Sequence, residues 1–204
     1  MYLTRIDMPL AHRGVQRALG DCQQMHRRIA GLFADSRAGA GVLYRLRYTR
    51  GSCSAYLYSA VPVKRDRLLP DMQLVGERDM TDWLNTLTEG QVCHFDLLAW
   101  PSKKIPNDGG RNSRRRVLRT QAERLAWLER KGKQNGFSLL NVCELETMQQ
   151  VGHHDASHGG RLYVDSYHYQ GTLQIADAAA LQAAICGGIG PGKAYGLGML
   201  LLTQ

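Results

Sequence analysis

With 204 residues, of which 44% are apolar, the chain can bury one good core or two small ones, so disorder is not the leading account. Lys and Arg exceed Asp and Glu by 26 to 18, a formal charge of +8 that favours a polyanionic partner without identifying one. The five cysteines, Cys22, Cys53, Cys93, Cys143 and Cys186, are widely spaced with no C-x-x-C pair, which indicates neither a disulfide framework nor a zinc ribbon. No stretch approaches the roughly eighteen continuous apolar residues needed to cross a bilayer. The composition therefore reads as that of a protein of the reducing cytoplasm, neither exported nor membrane-spanning.

Residues 2–8 alternate, with Tyr2, Thr4, Ile6 and Met8 against Leu3, Arg5 and Asp7, which predicts a strand. From 14 to 33, Val15, Ala18, Leu19, Cys22, Met25, Ile29, Leu32 and Phe33 recur at intervals of three and four and predict one helix with an apolar stripe. A hairpin follows, 42–48 and 53–61, turning at residues 49–52. Residues 62–91 are mixed, with Pro62, Pro70 and Gly76 and a short helix at 80–87, and the domain boundary is expected among them.

A strand at 92–100 leads through a basic segment to a helix opened by Thr120 with Glu123 three places on, a capping box. Its buried side falls to Ala122, Leu125, Trp127 and Leu128. Extended segments at 137–145 and 162–175 follow, the second bent at Gly171, and then Asp177 as a helix cap, an Ala-rich helix at 178–186, a glycine-rich loop and a last strand at 197–203. Strand, helix, strand, strand, helix, strand thus occurs twice. The expected fold is α+β: tandem ferredoxin-like (RRM-like) βαββαβ domains, two antiparallel sheets side by side with a basic cleft between them. The expected division is 1–75, a linker region at 76–90, and 91–204. The repetition is one of pattern, without internal sequence identity.

The glycine loop at 187–198 satisfies the frame G-x-x-x-x-G-K with Gly187, Gly192 and Lys193, but Ala194 stands where a nucleotide-binding P-loop needs the hydroxyl that holds magnesium. The order is also reversed, since a P-loop joins a strand to the helix after it. A close-packing turn and an amide cradle for a polyphosphate backbone both remain open for it. Seven cations, Lys103, Lys104, Arg111, Arg114, Arg115, Arg116 and Arg119, lie within seventeen residues interrupted by one acid, Asp108. Such a run is either a solvated face or a polyanion grip. His26, at the flank of the helical stripe, can be structural or can move protons near neutral pH. His153, His154 and His158 cluster with Asp155 in a loop. No further acids or cysteines complete a coordination sphere there, so no metal and no nucleotide cofactor is expected. Tyr163, Tyr167 and Tyr169 alternate on one strand face and can stack on bases or pack on a core, whereas Glu144 and Glu146 read as solvent-facing.

Three separated stretches carry a resemblance. Met1-Tyr2-Leu3-Thr4-Arg5-Ile6 with Met25-His26-Arg27 is the first. The second is Leu98-Ala99-Trp100-Pro101-Ser102-Lys103, similar to R-A-N-P-x-K, continuing to Arg114-Arg115-Arg116-Val117 and to Ala122-Glu123-Arg124-Leu125-Ala126-Trp127-Leu128. The third is Gly188-Ile189-Gly190-Pro191-Gly192-Lys193-Ala194-Tyr195-Gly196-Leu197-Gly198. In correct order and over essentially the whole chain, they resemble the CasE-type CRISPR RNA-processing endoribonucleases of type I-E systems, within the repeat-associated (RAMP) superfamily.

The resemblance implies a metal-independent cut at the base of the repeat stem-loop of a CRISPR precursor transcript. The products would carry a 2′,3′-cyclic phosphate and a 5′-hydroxyl, and the protein would stay on the mature guide RNA beside other Cascade subunits, chiefly the backbone subunit. It makes His26 the catalytic histidine. It gives RNA binding to Arg27, to the basic segment (Lys103, Lys104, Arg111, Arg114, Arg115, Arg116, Arg119) and to Gly188, Gly190, Gly192 and Lys193. Gln23 departs from the tyrosine that many relatives place there, so the second catalytic group is open. His153, His154 and His158 are auxiliary candidates, with Arg161 behind them. The rival reading is an RNA-binding module of the same fold that cuts nothing.

Overall fold

The computed structural model describes residues 1–34, 39–106, 113–153 and 160–203, and of Pro106, Ser113, Arg114 and Glu146 the backbone alone. The first strand, β1 (Tyr2–Pro9), follows its alternation inward: Thr4, Ile6 and Met8 are fully buried. It pairs antiparallel with β3 (Ser52–Ser59), which pairs in turn with β2 (Leu43–Thr49) across the expected turn. On its other side β1 pairs with β4 (Gln73–Asp79), giving the order β2-β3-β1-β4.

The single helix expected over 14–33 is two. α1 (Arg13–Leu19) stops at Gly20, and Asp21 adopts an extended backbone and caps α2 (Cys22–Ala30), its carboxylate accepting from Gln23 N at 2.9 Å. A carboxylate at that point offers the backbone amides an alternative to a continuing helix, and the break follows. The apolar stripe survives it: Val15, Ala18, Met25, Ile29, Leu32 and Phe33 share one core with Ile6, Met8, Tyr44 and Leu57.

The strand β4 crosses the expected 75/76 boundary, and its pairing carries the first unit to residue 79. Between β3 and β4 stands a three-residue 3-10 turn, Arg65–Arg67, in place of a second long helix, and the short α3 (Thr81–Asn85) comes after the sheet is complete. The first unit is therefore a ferredoxin-like sheet with one of its two helices reduced to a turn.

The second unit is fuller. Its sheet runs β10-β5-β9-β8, from β5 (Val92–Ala99), β8 (Phe137–His153), β9 (Arg161–Ile175) and β10 (Leu200–Thr203), with α4 (Gln121–Gln134) and α5 (Ala178–Gly187) as its helices. Thr120 opens α4 with the expected capping box, and Asp177 caps α5 by accepting from Ala180 N. A Cβ at Gly171 would lie 2.2 Å from Asn141 O, where the β8–β9 register shifts, so only glycine lets the two long strands keep their contact there. Inserted between β5 and α4 is a separate ribbon, β6 (Ser102–Pro106) and β7 (Ser113–Val117), which pairs with itself alone among the described strands.

The two sheets meet along β2 and β5. Arg45, 5% exposed, forms an ion pair with Asp96, which also accepts from Gln170 Nε2 at 2.8 Å and lies 3.0 Å from His168 Nε2. Leu43 and Tyr58 of the first sheet join the core of the second unit. The space between the sheets, about 810 Å³, is lined chiefly by Leu3, Tyr56, Tyr58, Met80, Trp83, Phe95, Leu201 and Leu202, with Arg47 and Arg78 among them. The cationic cleft expected between the sheets lies elsewhere, beside the second one.

Candidate nucleic-acid interface

After α5 the chain folds back on itself without regular structure. Ile189 is fully buried and its amide donates to Gly198 O at 2.8 Å, while Gly198 N donates to Leu98 O at 2.7 Å, so the loop is pinned to the edge of the sheet. Gly190 has φ +80°, and a Cβ there would lie 2.9 Å from the Trp127 ring, so both backbone conformation and space demand glycine. Between the pinned ends stands one 3-10 turn, Lys193–Tyr195, followed by Gly196. A helix leads in and a strand follows, the opposite order to a P-loop.

The glycine loop, the β6–β7 ribbon and α4 enclose a cleft of about 550 Å³. Lys103 and Lys104 come from β6, Arg115 from β7, Arg130 and Lys131 from α4, and Lys193 from the loop, and no Asp or Glu lines the cleft among the described residues. Six like charges in one concavity hold a counter-ion atmosphere that a polyanion can displace. Gly188, Gly190 and Pro191 bring main chain to the same wall, and Trp127 closes the floor. Arg116 and Arg119 line an adjoining depression of about 440 Å³ with Arg115, Asp165 and Tyr167.

Of the other expected binding residues, Arg114 is in β7 opposite Ile105, and Arg111 lies outside the described residues. Gly192 is aimed inward: a Cβ there would meet Leu197 at 2.8 Å, so it shapes the loop and does not face the cleft.

His26 is half-buried on α2, beside exposed Arg27. α2 packs against both the 3-10 turn and β8. One helical turn before His26, on the same face, Gln23 Nε2 donates to the Tyr195 hydroxyl at 3.2 Å. The Tyr44 hydroxyl donates to Ala194 O at 3.1 Å and holds the turn from the other side. The turn thus has two aspects: Lys193 belongs to the cationic cleft and Tyr195 to the helix of His26.

His154 and His158 lie outside the described residues. His153 does not reach the cleft but stands at the N-terminus of α2, its Nδ1 3.2 Å from Asp21 Oδ2. A Cβ on neighbouring Gly152 would fall 2.7 Å from Cys22 Sγ, so the end of β8 lies tightly on the start of that helix. Burial would raise the Asp21 carboxyl, but hydrogen bonds from Gln23 N, His153 and Gln24 outweigh it and hold the group below its ordinary range. Arg161 pairs in register with His153 at the same end of the hairpin.

Two expectations change character. The tyrosines of β9 do not form a stacking row: Tyr169 is fully buried, Tyr167 lies under Arg124 at 4.1 Å, and Tyr163 is exposed. Glu144 is not solvent-facing but accepts a two-pronged bond from buried Arg124, which α4, packed against β8, brings to it. Arg130, Lys131 and Tyr195 also belong to this region, although no pattern in the sequence marks them for it. The first two sit on the polar side of an amphipathic helix, where basic residues ordinarily mean only solvent, and it takes the neighbouring ribbon to make them part of a cleft.

Fold and cleft together define an α+β protein whose electropositive concavity suits a polyanionic chain. The chain belongs to the CRISPR-associated protein family: the family model described as "CRISPR associated protein" matches residues 1–204. It is 30% identical, over 98% of each chain, to the CRISPR-associated endoribonuclease Cse3 of Thermus thermophilus. It is similar to a solved structure of CRISPR endoribonuclease Cse3 bound to a 19-nucleotide RNA, with a TM-score of 0.86 and 27% identity over all of both chains. A chain of a CRISPR RNA-guided surveillance complex in its pre-nicking state matches with a TM-score of 0.77 and 25% identity, over 99% of each chain.

Proposed function

We propose that the protein is a metal-independent endoribonuclease that cuts precursor CRISPR RNA at the base of the repeat stem-loop and keeps the product within Cascade, in the cytoplasm. The observation that carries this reading is the junction at the Lys193–Tyr195 turn, where a cationic cleft, acid-free among the described residues, abuts the helix of His26. The relatives named as endoribonuclease Cse3 support the same reading.

The cleft residues Lys103, Lys104, Arg115, Arg130, Lys131 and Lys193 grip the phosphates of the stem. The A-form major groove is too deep and narrow for side chains to read freely, so this grip senses shape and phosphate position more than base identity. His26 takes the proton of the 2′-hydroxyl, whose oxygen attacks the adjacent phosphorus and expels the 5′-oxygen. Arg27 and Lys193 stabilise the negative charge that builds on the phosphorane. The stem, held through many phosphates, leaves slowly, so turnover is slow.

Incubating a repeat hairpin with the protein in EDTA tests the reading. Two fragments are expected, the upstream one ending in a 2′,3′-cyclic phosphate, and His26→Ala is expected to abolish them while hairpin affinity stays within a few-fold. Intact RNA with wild-type protein, despite tight binding, would leave a binding module. Undiminished cleavage by His26→Ala would remove His26 from the chemistry.

A further inference from the structure

Cleavage by a 2′-hydroxyl needs two proton transfers, one from the nucleophile and one to the departing 5′-oxygen. His26 serves one of them, and the groups around α2 can be weighed for the other. Cys22 is buried in the helix, its thiol pushed up to about 11 by burial and by Asp21. His153 is engaged with Asp21 at the far end of the helix, five residues before His26. Lys193 lines the cleft. Among the described residues there remains the phenol of Tyr195, which the glycine loop delivers onto the His26 face of α2.

We propose that Tyr195 is the general acid of the reaction, giving its phenolic proton to the departing 5′-oxygen; this rests on the nuclease reading above. Two features of its setting fit that task. The Gln23 amide donates to the phenol oxygen at 3.2 Å, so the bond engages a lone pair and leaves the O–H proton to be given away. Burial, with a smaller contribution from Cys22, raises the phenol above its ordinary range, which keeps the proton on it until the 5′-oxygen, a stronger base once its bond to phosphorus lengthens, takes it.

The balance closes. The 2′-hydroxyl loses its proton to His26 as the 2′-oxygen–phosphorus bond forms. The bond from phosphorus to the 5′-oxygen breaks, and the leaving oxygen takes the Tyr195 proton and departs as a hydroxyl. The imidazolium and phenolate left behind exchange one proton through solvent, and both return to their starting states. No oxidant, reductant or co-reactant is consumed.

The test is single-turnover cleavage in EDTA of two hairpins, one ordinary and one carrying sulfur in place of the 5′-bridging oxygen at the cut, since a thiolate departs without being protonated. Tyr195→Phe is expected to lose about 10²- to 10³-fold on the ordinary hairpin with affinity and melting temperature unchanged, and to return to within a few-fold of wild type on the sulfur hairpin. His26→Ala should stay slow on both. Gln23→Leu, which unseats the phenol, should show a smaller loss with the same rescue. Wild-type rates for Tyr195→Phe on the ordinary hairpin would overturn the proposal while leaving the nuclease reading intact. So would a loss that persists on the sulfur hairpin, which would make the ring a positioning element. Absence of cleavage by the wild-type protein would take down both.

Discussion

Arg124 holds Glu144 with two hydrogen bonds, 2.8 and 2.5 Å, and with its remaining nitrogen donates to the carbonyl of Arg119 at 2.6 Å. One buried guanidinium thus ties α4 to β8 and also anchors the point where the cationic ribbon returns to the body. Arg124→Met would strand the Glu144 carboxylate in a buried site and should cost about 3–5 kcal/mol in urea unfolding. The double variant Arg124→Met, Glu144→Leu should recover most of that loss. Single and double variants of equal stability would show the carboxylate to be hydrated and the pair unimportant.

The cleft makes a prediction about salt. Lys193→Ala and Arg115→Ala should each weaken hairpin binding and reduce by about one the slope of log affinity against log salt concentration, because each removes a phosphate partner and the counter-ion it would release. Arg17→Ala, on α1 away from the cleft, should leave the slope unchanged. Equal slopes for all three would reduce the cleft cations to a solvated face.

At the start of α2, Asp21→Ala should cost about 1 kcal/mol by thermal unfolding, since the capping bond to Gln23 N is lost. It should also slow cleavage, because the first turn of the helix that carries Gln23 and His26 then frays. Asp21→Asn, which keeps a capping oxygen, should restore most of both. His153→Ala should have a milder effect on both, as the loss of a neighbour to the cap; a loss of cleavage as deep as that of His26→Ala would instead mark His153 as a participant in the chemistry.

The joint between the sheets sets an acid limit on stability. Burial would raise the Asp96 carboxyl, but Gln170, Arg45 and His168 together hold it below its ordinary range. A carboxyl depressed in the folded state contributes stability that is present above its unfolded pKa of about 3.9 and is lost as pH falls through the lower, folded value. Asp96→Asn should therefore melt below wild type from pH 7 to about 5, with the gap narrowing as pH falls below about 4. A gap that does not change with pH would show that the carboxylate's charge is not what joins the sheets.

Much of this was legible in the residues because it rests on local rules. The Thr120 and Glu123 capping box, the Asp177 cap and the alternation of β1 each concern one element and its own backbone, and each appears as expected. What was not legible depends on partners distant in the chain. β4 shows no buried alternation because it is an edge strand whose residues are mostly exposed, so only its pairing with β1 identifies it. Glu144 reads as a surface acid until Arg124 is brought against it, and Asp21 reads as one more helical residue until its carboxylate turns to cap. His26 stood out as a residue type suited to the chemistry, whereas Tyr195 belonged to a loop whose glycines drew attention to phosphate. Its place beside α2 exists only because the last quarter of the chain folds back over the first.

Among the described residues the β6–β7 ribbon pairs with neither of the large sheets. Two five-residue strands held at their base by Leu118 and by the Arg119 carbonyl can be lengthened, shortened or recharged without disturbing either interior. In the proposed nuclease such a finger would be an interchangeable reader: swapping it for one of different reach or charge would be the economical route to a different hairpin preference, while the body beneath stays as it is.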